Sequence, residues 1–188
     1  RLLQDIDAVA NRVRRVATGW EPQFTVAVDS VVSRTTVLDL CESFYALQPP
    51  TRLKIREEVL SGTLEALLGG QADLAIGVVG QAESIRDIQT RPLGQLRFIF
   101  VVAPHHPLAQ VPEPLNDALL QQHRVVAVAD TGPRSSALTL GILGGQDVLT
   151  VPSMRAKLEA QLRGLGAGFL PECLARPYVE TGRLVERR

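Results

Sequence analysis

The residues of this sequence that invite a chemical reading are three histidines, two cysteines and a run of closely spaced glycines. His105 and His106 are adjacent, a pairing that could ligate metal or move protons near neutral pH. They lie in a proline-bracketed stretch with no cysteine or carboxylate at ligand spacing, so they read as surface-loop residues, as does His123, and no metal is expected. Cys41 falls on the apolar face of a helix and reads as a core residue. Cys173 follows Pro171 in the first turn of a helix, where a thiol pKa can fall, but no paired base accompanies it. The patterns GxSxG, HExxH and GxxxxGK[ST] do not occur, nor does GxGxxG between a strand and a helix. Gly164-Leu165-Gly166-Ala167-Gly168 comes at the end of a helix and enters a strand, the reverse of an anion-binding turn, and reads as a C-cap with close backbone packing. No catalytic residue and no cofactor are therefore expected, and the enzyme class is set aside.

More promising are the junctions where strands end and helices begin. There a helix start offers free N–H donors, and open α/β sheets bind ligands outside the carboxyl ends of their strands. Asp29 and Ser30 stand after the first strand, Gly77 and Val78 after the third, Asp130 and Thr131 after a later one, and Ser153 and Met154 before a clear helix. Simple N-capping accounts for Asp29, Ser30 or Ser153 taken singly. Their recurrence at corresponding places in two halves of the chain points to a binding cleft. Val31, Glu58, Val102 and Phe169 complete the candidate ligand-contact set.

The elements that must position these residues follow from periodicity. Leu2, Ile6, Val9, Val13 and Val16 are spaced 4, 3, 4, 3, the rhythm of a coiled-coil seam; an amphipathic helix packed on its own domain has the same signature over so short a span. Gly19 and Pro22 end it. Phe24 to Val28 reads as a strand; Thr36 to Leu47 as a helix with Val37, Leu40, Cys41, Phe44 and Leu47 on one face. Leu53 to Val59 reads as a strand, a helix marked by Leu64, Leu67 and Leu68 follows, and Asp73 to Val79 reads as a strand buried on both faces. A second round runs through strands at Leu96 to Ala103, Arg124 to Ala129 and Val148 to Val151, a short helix at Leu115 to Leu120 and a helix at Ser153 to Leu165. The fold class is α/β: two Rossmann-like lobes around a central ligand cleft, preceded by an N-terminal helix.

Composition narrows the function classes. With 188 residues, 20 basic and 20 acidic side chains and 45% hydrophobic residues, the chain is globular and lacks the basic excess of an autonomous nucleic-acid binder. Two widely separated cysteines exclude a disulfide framework or zinc module. No run approaches a membrane span, and the acids among the first seven residues interrupt what a signal peptide keeps apolar, so a cytoplasmic protein with no membrane partner is expected.

The run from Arg56 to Gly77, ending in Gly70-Gln71-Ala72-Asp73-Leu74-Ala75-Ile76-Gly77, resembles the strand, helix and strand of the effector-binding domain of LysR-type transcriptional regulators. Further landmarks arrive in that family's order: Val102 to Ala109 (VAPHHPLA), Val126 to Thr131, Leu149 to Met154, Gly164 to Pro171, and Gly182-Arg183-Leu184-Val185. The resemblance implies a type 2 periplasmic-binding-protein-like fold in a cytoplasmic, ligand-responsive regulator. It implies residues 1–19 as the downstream part of a linker and dimerisation helix, 23–102 as a first lobe, 103–183 as a second lobe and 184–188 as the start of a return to the first lobe. An unknown metabolite would bind between the lobes, and a winged helix-turn-helix outside this sequence would contact DNA. Self-association to a dimer or tetramer would use Leu2, Ile6, Val9, Val13 and Val16 together with Leu40 and Phe44. Solute-binding proteins of transporters share the architecture and are the alternative; a secretion signal and a first lobe without the leading helix would mark them, and neither is seen. Many family members carry Ser or Thr where Asp29 stands. A carboxylate there satisfies the helix donors itself and repels an anion, which favours an effector that is hydroxylated, cationic or neutral at that point.

Overall fold

The computed structural model describes residues 10, 13, 17, 19–78, 85, 87–132 and 141–188. Of the leading helix, Ala10, Val13 and Ala17 are helical and Val13 is 65% exposed; Leu2, Ile6, Val9 and Val16 lie outside the described residues.

The first lobe is built on β1 (Gln23–Asp29), with β2 (Arg52–Glu58) on one side and β3 (Leu74–Ile76) on the other, all parallel. Helix α1 (Arg34–Ala46) crosses from β1 to β2, and α2 (Ser61–Leu68) from β2 to β3. Side chains alternate across β1. Val26 and Val28 pack with Val37 of α1, whereas Ala27 packs with Ala66 of α2 and with Ala72. That parity sends Asp29, on the Ala27 face, towards the start of α2. One expectation is corrected here. Among the described residues the third strand is a three-residue edge strand with Leu74 exposed, because β1 takes the central, doubly covered position. The face of α2 turned to the sheet carries Gly62, Thr63 and Ala66, while Leu68 is exposed; small side chains bring the helix close to β1.

The second lobe holds β4 (Phe98–Val102), β5 (Val125–Val128), β6 (Val148–Val151), β7 (Gly168–Pro171) and β8 (Val185–Arg187). β4 pairs antiparallel with β7 and β8, β5 pairs parallel with β6, and a bridge between Val125 and Ala167 links the two groups. Helices α4 (Met154–Leu162) and α5 (Glu172–Glu180) cover the face presented by Ile99, Val101 and Leu170. A short helix α3 (Asp117–Leu120) and the turn Pro107–Ala109 cover Val102 and Ala167 on the other. The strand Phe98–Val102, placed by sequence at the end of the first lobe, therefore pairs within the second sheet. Val185–Arg187, expected to begin a return to the first lobe, pairs with that same strand. No described helix is long and apolar enough to cross a membrane.

The glycine run behaves as a helix end: Gly164 has φ +71°, and a Cβ on Gly166 would lie 2.8 Å from the Arg124 carbonyl oxygen. Of the histidines, His106 departs from the loop reading. It is 6% exposed, its Nδ1 accepts from the Leu108 amide at 3.2 Å, and its ring lies 5.4 Å from that of His123. Burial, followed by the neighbouring His123 and His105, pushes its pKa below the ordinary histidine value.

Candidate functional site

The carboxyl ends of β1 and β2 meet the carboxyl ends of β5 and β6 along one line between the lobes. Asp29 lies at its floor. The carboxylate is 1% exposed and accepts three hydrogen bonds, from the Val31 amide at 2.9 Å, the Leu60 amide at 2.8 Å and the Thr63 hydroxyl at 3.1 Å. One aspartate thus ties the turn after β1 to the start of α2, filling the donor positions that an anionic ligand would use. Burial is the dominant influence on its titration and raises its pKa; the three hydrogen bonds act the other way, and Asp130 adds a smaller raising effect.

Above Asp29 the two lobes touch directly. Thr131 donates to Glu58 Oε2 at 2.7 Å and accepts from the Val59 amide at 2.9 Å, and its own amide reaches the Val59 carbonyl at 3.3 Å. Arg56 holds the other oxygen of Glu58 at 2.6 Å. Ser61 donates to the Asp130 carboxylate at 2.8 Å, and the Gly132 amide donates to the same group at 2.9 Å. Beneath these polar contacts Val31, Val59 and Leu60 of the first lobe join Val128, Val151 and Met154 of the second in one apolar cluster.

The structure therefore brings together Asp29, Val31, Glu58, Asp130, Thr131 and Met154 of the residues singled out by sequence. Ser30 adjoins them: its amide donates to the Glu58 carbonyl at 2.9 Å, and its Oγ is buried with no partner among the described residues. Gly77 packs under the floor with φ +82°, where a Cβ would lie 2.8 Å from Val32 Cγ2 and 3.1 Å from Asp29 Cβ; Val78 follows it, half-buried. Ser153 caps α4, its Oγ accepting from the Ala156 amide at 3.2 Å. Two candidates stand apart. Val102 is buried in the second lobe beside Leu108 and Ala167. Phe169, 46% exposed, meets Phe100 edge-to-face at 5.2 Å and lines a separate pocket of about 400 Å³ with Leu115, Leu120 and Arg97.

Sequence reasoning missed Ser61, Gly62, Thr63 and Gly132. The available signal was the repetition of a hydroxyl residue followed by glycine, Ser61-Gly62 after one strand and Thr131-Gly132 after another.

The match to the LysR substrate-binding-domain model spans residues 17–188. Among curated relatives, the chain is 34% identical over 187 residues to the helix-turn-helix-type transcriptional regulator YeeY of Escherichia coli K12, covering all of this chain and 60% of that protein. It is 30% identical over 181 residues to the transcriptional activator AllS of Klebsiella pneumoniae, covering 96% of this chain and 67% of AllS. The chain thus spans roughly three fifths to two thirds of the length of these relatives. Among solved structures, full-length LysG of Corynebacterium glutamicum, solved with its effector Arg bound, superposes with a TM-score of 0.66 at 23% identity, covering 97% of this chain and 63% of LysG. That likeness establishes the two-lobed fold. Taken with the convergent strand ends, these matches place the chain in the LysR substrate-binding-domain family, the effector-binding domains of LysR-type transcriptional regulators.

Proposed function

We propose that this chain senses a small metabolite between its lobes and passes the signal to a winged helix-turn-helix that binds DNA in the cytoplasm. The observation that carries the reading is the convergence of four strand ends from two sheets on one line containing Asp29, Ser30, Glu58, Asp130 and Thr131. Both relatives described above are helix-turn-helix-type regulators, which favours this reading over a transporter's solute-binding protein. The proposed contact set keeps Ser30, Val31, Gly77, Val78, Ser153 and Met154 near the cleft; Thr131 instead bonds across the lobes to Glu58 and Val59. Val102 and Phe169, placed elsewhere, are the weakest members. Self-association to a dimer or tetramer belongs to the same proposal.

The effector is neutral, hydroxylated or cationic where it approaches the turn after β1, because Asp29 already fills the donors that would hold an anion there. LysG, whose fold is similar, was solved with its effector Arg bound, a small molecule that carries a guanidinium as well as a carboxylate. Calorimetric titration of this chain with panels of simple carboxylates and of amines or polyols tests the assignment. Binding confined to the second panel is the expected outcome; tight binding of a plain carboxylate contradicts it.

A further inference from the structure

We propose that the two lobes are latched protein-to-protein by a reciprocal seam in which each lobe presents a hydroxyl to the other's glycine. Ser61-Gly62 opens α2 at the end of β2, and Thr131-Gly132 follows β5 in the other lobe. A Cβ placed on Gly62 would sit 1.9 Å from Thr131 Oγ1, and a Cβ placed on Gly132 would sit 2.0 Å from Ser61 Oγ. Each glycine is thus the socket for the hydroxyl of the opposite lobe. Neither glycine has a positive φ, so backbone conformation does not demand them; close approach does.

Both hydroxyls are anchored by carboxylates. Thr131 Oγ1 reaches Glu58 at 2.7 Å and the Val59 amide at 2.9 Å, and Ser61 Oγ reaches Asp130 at 2.8 Å. Three of these contacts cross from lobe to lobe, and they sit on the shared apolar cluster of Val59, Val128 and Met154. The seam leaves no room for even one added methyl, so it cannot itself hold a ligand. It sets the angle between the lobes, and an effector acts on an interlobe angle the protein has already fixed. The geometry makes no use of effector chemistry, so this inference stands or falls separately from the sensing role.

The only two cysteines, Cys41 on α1 and Cys173 on α5, sit one in each lobe and provide the ruler. Spin-labelled chain diluted into excess unlabelled chain reports the intramolecular distance by double electron–electron resonance. Wild type gives one narrow distribution. A methyl needs roughly 3.5 Å from its neighbour, so Gly62→Ala forces the seam apart by roughly 1.5 Å and moves and broadens the distribution, as Gly132→Ala does. Combining Gly62→Ala with Thr131→Gly removes the hydroxyl in the way and restores much of the narrow distribution. Thr131→Val keeps the shape but deletes the bonds to Glu58 and Val59; it broadens the distribution and decides the matter should the alanine variants fail to fold. Wild-type distributions in the folded glycine variants, or in Thr131→Val where those do not fold, overturn the proposal.

Discussion

Asp29 shows how a residue chosen for ligand contact serves the fold. Its carboxylate satisfies two backbone amides and one hydroxyl in a place without water access. Unpaired buried donors cost about 1–3 kcal/mol each, so Asp29→Ala lowers stability in urea titration by about 3 kcal/mol or more. Its pKa is raised by burial, so the folded chain holds this proton more tightly than the unfolded one. The stability it contributes is full at acid pH and declines as pH rises through the folded pKa. Asp29→Asn removes that decline. Lys157 gives the clearer pH signature. It is 7% exposed, has no hydrogen-bond or ion-pair partner among the described residues, and burial lowers its pKa to about 8. Between pH 8 and the ordinary lysine value the unfolded chain keeps a proton that the folded chain has lost, so stability rises with pH across that window. The gain is on the order of 3 kcal/mol. Lys157→Met abolishes the slope and is more stable than wild type at pH 7, measured by denaturant unfolding at several pH values. The cap at Ser153 was legible because capping chemistry is local; Asp29 caps no helix of its own, and its partners at the start of α2 stand 31 and 34 residues away. The burial of His106 was not, since it depends on a non-local fold that sets its ring beside His123.

Elements were legible where period and punctuation agreed. The strand Val148–Val151 and the helix capped by Ser153 follow the sequence closely, because an N-cap and a glycine stop bracket the apolar rhythm. Replacing Ser153 by Ala costs about 1 kcal/mol. The strand after Ala72 was misread, since a continuous apolar run does not say whether its strand is central or at an edge. Assignment of the Phe98–Val102 strand to one lobe or the other likewise depends on ladder partners more than sixty residues away. At Gly77 a turn does require glycine. Gly77→Ala combines a left-handed φ of +82° with a methyl 2.8 Å from Val32 Cγ2, and it destabilises by roughly 2 kcal/mol in the same unfolding assay.

For the whole molecule, paired strand ends and ordered motifs made two lobes legible, while contacts between them were not, because the contacting pairs lie some seventy residues apart. Several apolar side chains on and just after α1 remain exposed: Leu40 is 52% exposed, Leu38, Tyr45 and Leu47 are also exposed, and Phe44 meets Trp20 and Tyr45 edge-on. The proposed dimer places Leu40 and Phe44 in contact with a second copy. Leu40→Lys then yields a monomer of unchanged circular dichroism in light scattering, whereas wild type is a dimer at the same concentration.

The central claim is that a small molecule binds between the lobes. A thermal-shift screen of metabolites against this chain and its Ser30→Ala variant tests it most directly. Ser30 Oγ is buried with no protein partner among the described residues, so its removal spares the fold while deleting a proposed ligand contact. At 100 times its dissociation constant a ligand stabilises by about 2.7 kcal/mol, which raises the melting temperature of a chain this size by roughly 5–10 °C. The account predicts that a neutral, hydroxylated or cationic metabolite produces this shift in wild type and a much smaller one in Ser30→Ala. A screen in which no metabolite shifts the chain, or in which every hit shifts both proteins equally, contradicts it.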